Sequence, residues 1–198
     1  MSSTRDQLVG LLREKAYREG DFTLSSGKRA SFYIDARQVT YDPAGAALAG
    51  EWVFELIRDR NVQAVGGLTL GADPIALATA LTSHLRGVPI PAFVVRKAPK
   101  GHGLKRSIEG PALRPGMRVA IVEDVVTSGG SALEAMTRVR EEAGCEIALV
   151  ACLVDREEGG RQAIEAQGCR LHALCTIGEL RGTAGSAPVA SEDAPGRR

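Results

Sequence analysis

The chain is 198 residues long, 25% charged and 44% hydrophobic, with a formal net charge of +1 at pH 7. That length suits one α/β domain with a full core, and so even a charge balance argues against a nucleic-acid or membrane surface as its main work. No segment approaches roughly 18 consecutive apolar residues, and the amino-terminal stretch has no apolar leader core. The four cysteines, Cys145, Cys152, Cys169 and Cys175, lack CxxC spacing and sit in apolar stretches. Together these features predict a cytoplasmic protein with reduced thiols, no zinc site and no disulfide.

In chain order, Thr4 is placed to cap a helix whose Leu8, Leu11 and Leu12 recur at helical spacing and which Gly20 would end. Extended runs at 22–24 and 31–35, joined by Ser25-Ser26-Gly27-Lys28, predict a hairpin. Asp42-Pro43 is a cap with proline at the first helical position and predicts a helix to about residue 60; Asp73-Pro74 repeats the signal and predicts one to about 86. Strands are predicted over 64–68, 92–96, 119–122, 147–154 and 171–177, with a long loop over 98–116. Further helices are predicted over 131–143 and 161–167, closed by Gly144 and Gly168.

From residue 43 on, strands alternate with helices, which predicts an α/β fold with a mostly parallel central sheet flanked by helices. Residues 1–41 stand outside that alternation and predict a small helix-and-hairpin hood over the strand ends. Residues 42–181 form the α/β core of the same single domain, 1–181. Residues 182–198, rich in Gly, Ala, Ser and Pro, predict a disordered tail.

Ligands of open α/β sheets sit beyond the carboxyl ends of the strands. There the run 119–134 reads VAIVEDVVTSGGSALE: a buried strand, the acids Glu123 and Asp124, the loop Val125, Val126, Thr127, Ser128, Gly129 and Gly130, and a helix opening at Ser131. Glycines that uncover backbone N–H groups at a helix start make a phosphate site. The two acids would repel a phosphate but suit the hydroxyls of a ribose beside it. There is neither a Walker-type Gly-Lys-Ser/Thr nor a GxGxxG, so ATP and dinucleotide readings lack their anchors.

A second cluster begins at the end of the 92–96 strand. Arg96, Lys97, Lys100 and His102 place four potential cations in seven residues, and Lys97, Lys100 and Lys105 are three of only five lysines in the chain. Gly101 and Gly103 give the His102 segment the freedom that a closing lid requires. Such a lid suits a pyrophosphate leaving group, whose growing charge it would meet while keeping water from a cation-like sugar.

The run around Glu123 and Asp124 resembles the phosphoribosyl-diphosphate motif of the type I phosphoribosyltransferases: hydrophobic strand, two acids, two apolar residues, Thr, a small residue, then Gly. The spacing Arg-Lys-x-x-Lys-x-His resembles the catalytic loop of the orotate phosphoribosyltransferases, as do the stretches around Phe22 to Lys28 and Phe32 to Arg37 at the amino terminus. That resemblance implies the type I phosphoribosyltransferase fold and transfer of ribose 5-phosphate from phosphoribosyl diphosphate to orotate. The products are orotidine 5′-phosphate and pyrophosphate, a step of pyrimidine synthesis. It also implies roles. Arg96, Lys97, Lys100 and His102 bind the diphosphate; Glu123 and Asp124 hold the ribose hydroxyls; Thr127, Ser128, Gly129, Gly130 and Ser131 hold the 5-phosphate, with Val125 and Val126 in the same phosphoribosyl-diphosphate site. Arg156, with Thr127, Tyr33 and Ile34, holds orotate, and Lys100, His102 and Asp124 are the expected catalytic residues.

Mg²⁺ is implied as a cofactor carried by the diphosphate and water, with no direct protein ligand. A homodimer is implied, with loop 97–110 reaching the neighbouring active site; no nucleic acid or membrane partner is. Residues 66–71 match a second strand-end loop that approaches pyrophosphate through its backbone. Two departures stand out: where some members carry lysines, this chain has Ser25 and Leu70. A purine-type transferase or a non-catalytic regulator that kept the sugar site are the competing readings.

Overall fold

The computed structural model describes residues 2–23, 29–98 and 107–182. Ser3 caps the first helix, α1 (Thr4–Leu11), in a capping box with Asp6, and the helix runs on through a π-helical turn, Leu12–Ala16. The chain then doubles back as an antiparallel hairpin, β1 (Tyr17–Thr23) with β2 (Arg29–Ile34). The cap therefore falls one residue before Thr4, and the helix stops at Ala16 where Gly20 was expected. Tyr17 is drawn into the ladder opposite Ile34 and leaves the helix no room to continue.

After the short α2 (Arg37–Thr40), α3 (Pro43–Ile57) begins as predicted: the Asp42 carboxylate accepts from the N–H groups of Ala44 and Gly45, and proline takes the first helical position. The rest is β3 (Ala64–Leu68), α4 (Ala72–Leu85), β4 (Ala92–Val95), β5 (Ile108–Glu109), β6 (Arg118–Val126), α5 (Gly130–Ala143), β7 (Glu146–Asp155), α6 (Gly160–Glu165), β8 (Leu171–Thr176) and α7 (Ile177–Arg181). Six strands form the main sheet in the order β5-β4-β3-β6-β7-β8, parallel except for β5 against β4.

Alternation along β6 explains how both faces are covered. Ala120 and Val122 pack with Leu8, Val53, Ile57 and Ile75 from α1, α3 and α4. Val119 and Ile121 pack with Met136, Val139 and Ile164 from α5 and α6. The central strands thus read as unbroken hydrophobic runs, because each is buried on both sides.

Three expectations need correcting. Helix α4 is capped by Gly71, not Asp73; the Asp73 carboxylate instead accepts the Thr69 hydroxyl at 2.7 Å. The loop 98–116 contains β5, too short to show a period of its own. Helix α7 follows β8 directly, and its signal was present, a Thr176 to Glu179 capping box. The tail reading falls, Gly182 apart, outside the described residues.

Candidate active site

Strand β6 continues past the acids to Val126, so Glu123 and Asp124 are held in a parallel ladder against β7. Gly129, at φ +83°, reverses the chain into α5, a conformation that a side chain would strain. The resulting pocket of about 200 Å³ is lined by Glu123, Val125, Val126, Thr127, Ser128, Gly129, Gly130, Ser131 and Ala132. It is pinned from behind, where Gly160 N donates to the Thr127 carbonyl at 3.0 Å. Backbone donors at the start of a helix make this a phosphate-sized anion site.

A larger cleft of about 300 Å³ adjoins it and shares Glu123, Val125, Thr127 and Ser131. Its floor is the acid pair. Glu123 is buried, its Oε1 accepts from Asp124 N at 3.3 Å, and its Oε2 has no partner. Burial, and then the charge of Asp124, push the Glu123 carboxyl up from 4.5 to about 9, so it holds its proton at neutral pH. Asp124 Oδ1 accepts from Val125 N at 2.8 Å. The β3–α4 loop lies directly on both acids: a Cβ added at Gly71 would collide with Asp124 Oδ1 and lie 2.9 Å from Glu123 Oε1. Thr69, Leu70 and Gly71 all line the cleft.

On the other wall, Arg156 leaves the end of β7 and enters the cleft almost buried. Its backbone N donates to the Val126 carbonyl at 2.9 Å, its guanidinium lies 4.8 Å from the Phe32 ring centre, and it pairs with Glu158 at 2.7 Å. Its Nε is buried with no partner. A guanidinium with an unsatisfied edge suits a planar carboxylate. Ile34 lines the cleft and Tyr33 does not; alternation along β2 turns the Tyr33 side chain away, and its ring packs at a tilt on Phe22, 5.7 Å between centres.

The basic segment is only partly in view. Lys97 lines the cleft. Arg96 does not: its side chain pairs with Glu109 at 3.5 Å and donates to the Ala98 carbonyl at 3.3 Å. Lys100 and His102 lie outside the described residues. Both described stems of the segment are held by α5. Arg138 donates to the carbonyls of Arg96 (2.8 Å) and Lys97 (3.1 Å), while Glu142 accepts from the N–H (2.9 Å) and hydroxyl of the buried Ser107.

Sequence reasoning missed Asp35 and Arg37, which line the cleft as an ion pair at 2.7 Å, and Asp73 behind Thr69. Opposite charges two residues apart at the end of a predicted strand were the available signal for the first pair.

The phosphoribosyl transferase domain family matches residues 35–166. The orotate phosphoribosyltransferase of Aquifex aeolicus is 50% identical over 179 residues, covering 89% of this chain and 97% of that one. That of Nostoc is 46% identical over 181 residues, covering 91% and 87%. The Mycobacterium tuberculosis orotate phosphoribosyltransferase, solved in complex with 5-phospho-α-D-ribosyl 1-diphosphate, superposes with a TM-score of 0.75 at 40% identity, covering 90% of this chain and 99% of that one. At these identities and coverages, the chain belongs to the phosphoribosyltransferase family, among the orotate phosphoribosyltransferases.

Proposed function

We propose that the chain transfers ribose 5-phosphate from phosphoribosyl diphosphate to orotate, releasing orotidine 5′-phosphate and pyrophosphate. The observation that carries this reading is the sharing of one wall, Glu123 to Ser131, by the phosphate pocket and the cleft that holds Arg156. The 5-phosphate takes the Thr127 to Ser131 nest, and the ribose hydroxyls take the acid pair. A protonated Glu123 donates as well as accepts there, while Asp124 accepts. Orotate lies against Ile34 and Thr127 with its carboxylate on Arg156. Phe32 packs against that guanidinium, 4.8 Å from ring centre to Cζ.

Orotate is already an anion, so no residue need act as nucleophile. Positioning of the two reactants and stabilisation of charge on departing pyrophosphate supply the rate. Lys97, with Lys100 and His102 of the same segment, meets that charge. Among the described residues no cluster of three His, Cys, Asp or Glu side chains could hold a metal. An ion riding on the diphosphate still fits the donor set, because the Asp124 carboxylate lines the cleft and offers oxygen to its water shell. Mg²⁺, when bound there, offsets the diphosphate's charge.

A homodimer is supported by α4 and its flanks, where Leu77, Leu81 and Leu85 recur every four residues, 68%, 60% and 75% exposed, beside exposed Leu70 and Val88. An apolar stripe of that length on a surface helix marks an interface. The segment 97–110 would then serve the neighbouring site. No helix among the described residues is long and apolar enough to cross a membrane, and the four cysteines are free and buried, which supports a cytoplasmic setting.

Pyrophosphate release from phosphoribosyl diphosphate and Mg²⁺, measured with orotate, uracil, adenine and hypoxanthine in turn, tests the reading. Turnover is expected with orotate alone. Preference for a purine, or no turnover with orotate, would overturn it.

A further inference from the structure

Arg37 is a cation of the cleft that the reaction as described leaves without work. The described charges lining that cleft are the acids Asp35, Glu123 and Asp124 and the cations Arg37, Lys97 and Arg156. Arg156 is taken by the base. A diphosphate that must leave with its charge grown therefore meets few positive groups on the rigid part of the molecule, and Leu70 puts none beside Gly71.

The geometry of Arg37 suits that gap. Its Nε donates to Asp35 Oδ1 at 2.7 Å and its Nη2 to Asp35 Oδ2 at 3.2 Å, a two-pronged pair that fixes the plane of the guanidinium. Asp35 is itself anchored: its N–H donates to the Ala16 carbonyl at 3.0 Å, and its carboxylate also accepts from Arg37 N at 3.2 Å and Gln38 Nε2 at 3.4 Å. Among the described residues, Nη1 makes no hydrogen bond. The guanidinium is also half-exposed, so a ligand can reach it without displacing protein. Its charge interacts with that of Asp124, which puts it within electrostatic reach of the ribose end of the site. Arg37 does not line the smaller pocket around Ser128 to Ser131, which removes the 5-phosphate as its target. It lines the larger cleft instead, together with Thr69, Leu70, Gly71 and Lys97.

We propose that Arg37, held by Asp35, is a substrate-binding residue that donates through Nη1 to the diphosphate of phosphoribosyl diphosphate. The proposal deepens the transferase reading above and rests on it. Asp35 acts as the positioning residue, trading part of the arginine's charge for a fixed orientation.

The test varies each substrate separately in the full-length protein and, independently of turnover, measures binding of Mg²⁺-pyrophosphate by calorimetry. Arg37→Gln is expected to raise the KM for phosphoribosyl diphosphate and weaken pyrophosphate binding, each roughly 10-fold or more, the scale of one charged hydrogen bond. The orotate KM should stay within about two-fold, because binding of that substrate is untouched. Arg37→Lys should recover part of the loss, and Asp35→Asn should give an intermediate one. An unchanged diphosphate KM, equal rises in both KM values, or a lower melting temperature that accounts for the loss would overturn the assignment. Should the wild type bind pyrophosphate but fail to turn over orotate, the transferase reading falls, and the calorimetry still decides for or against Arg37.

Discussion

The proposed function assigns an anionic substrate to both the turn from Glu123 to Ser131 and the segment from Arg96 to Ser107, and their described parts are made in opposite ways. The turn works through backbone: a strand laddered on both sides, a left-handed Gly129 and the open N–H groups of α5. Its chemistry is fixed before any ligand arrives. The segment works through side-chain charge, and the fold holds it by its stems, with Arg138 at one end and Glu142 at the other. Helix α5 serves both, supplying the nest with its first turn and the clamps with its later ones. Under the proposed function, binding falls to backbone and meeting the charge of the leaving group to side chains on the strip between the two clamped stems.

Breaking the strip should cost most. Lys100→Ala is expected to lower kcat by about 10²–10³ while leaving the melting temperature unchanged, the usual scale for losing one group that meets transition-state charge. Wild-type turnover in that variant would move the electrostatic work to the rigid half. A smaller effect should come from crowding the turn. Gly71→Ala forces a methyl group against both acids and should destabilise by about 1–3 kcal/mol, with a raised KM for phosphoribosyl diphosphate. Denaturant melts and substrate titrations check it, and an unaltered KM would mean the acids can shift without consequence.

The third experiment concerns how the rigid half stores charge. The folded-state pKa of Glu123, about 9, lies above its ordinary 4.5. The proton is therefore bound more tightly in the folded protein, a contribution to stability that is complete below about pH 4.5 and is lost as pH rises to about 9. Glu123→Gln cannot lose that proton. Its melting temperature should gain on the wild type progressively from pH 5 to pH 9, and a constant difference across that window would mean that Glu123 is ionised in the folded state.

Most of the α/β alternation was legible because each βα unit announces itself locally, as Asp42-Pro43 did for α3 and Gly144 for the end of α5. The boundaries that slipped were those set by distant partners: Tyr17 joined β1 because Ile34 lay opposite, and Asp73 gave up its capping role to Thr69. Strand β5 is two residues long and exists only because Val94 and Val95 offer an edge.

The sequence by itself determined the turn proposed here for the sugar phosphate, since a nest of backbone donors and two adjacent acids is a contiguous device, complete within nine residues. Only the tertiary structure decided the rest. Arg156 meets Phe32 and Gly71 meets Asp124 across long stretches of chain. The proton on Glu123 depends on burial contributed by elements far from it in sequence, and Tyr33 was turned from the cleft by the pleat of its own strand. Local geometry can be written in neighbouring residues; desolvation and facing are properties of what packs against them.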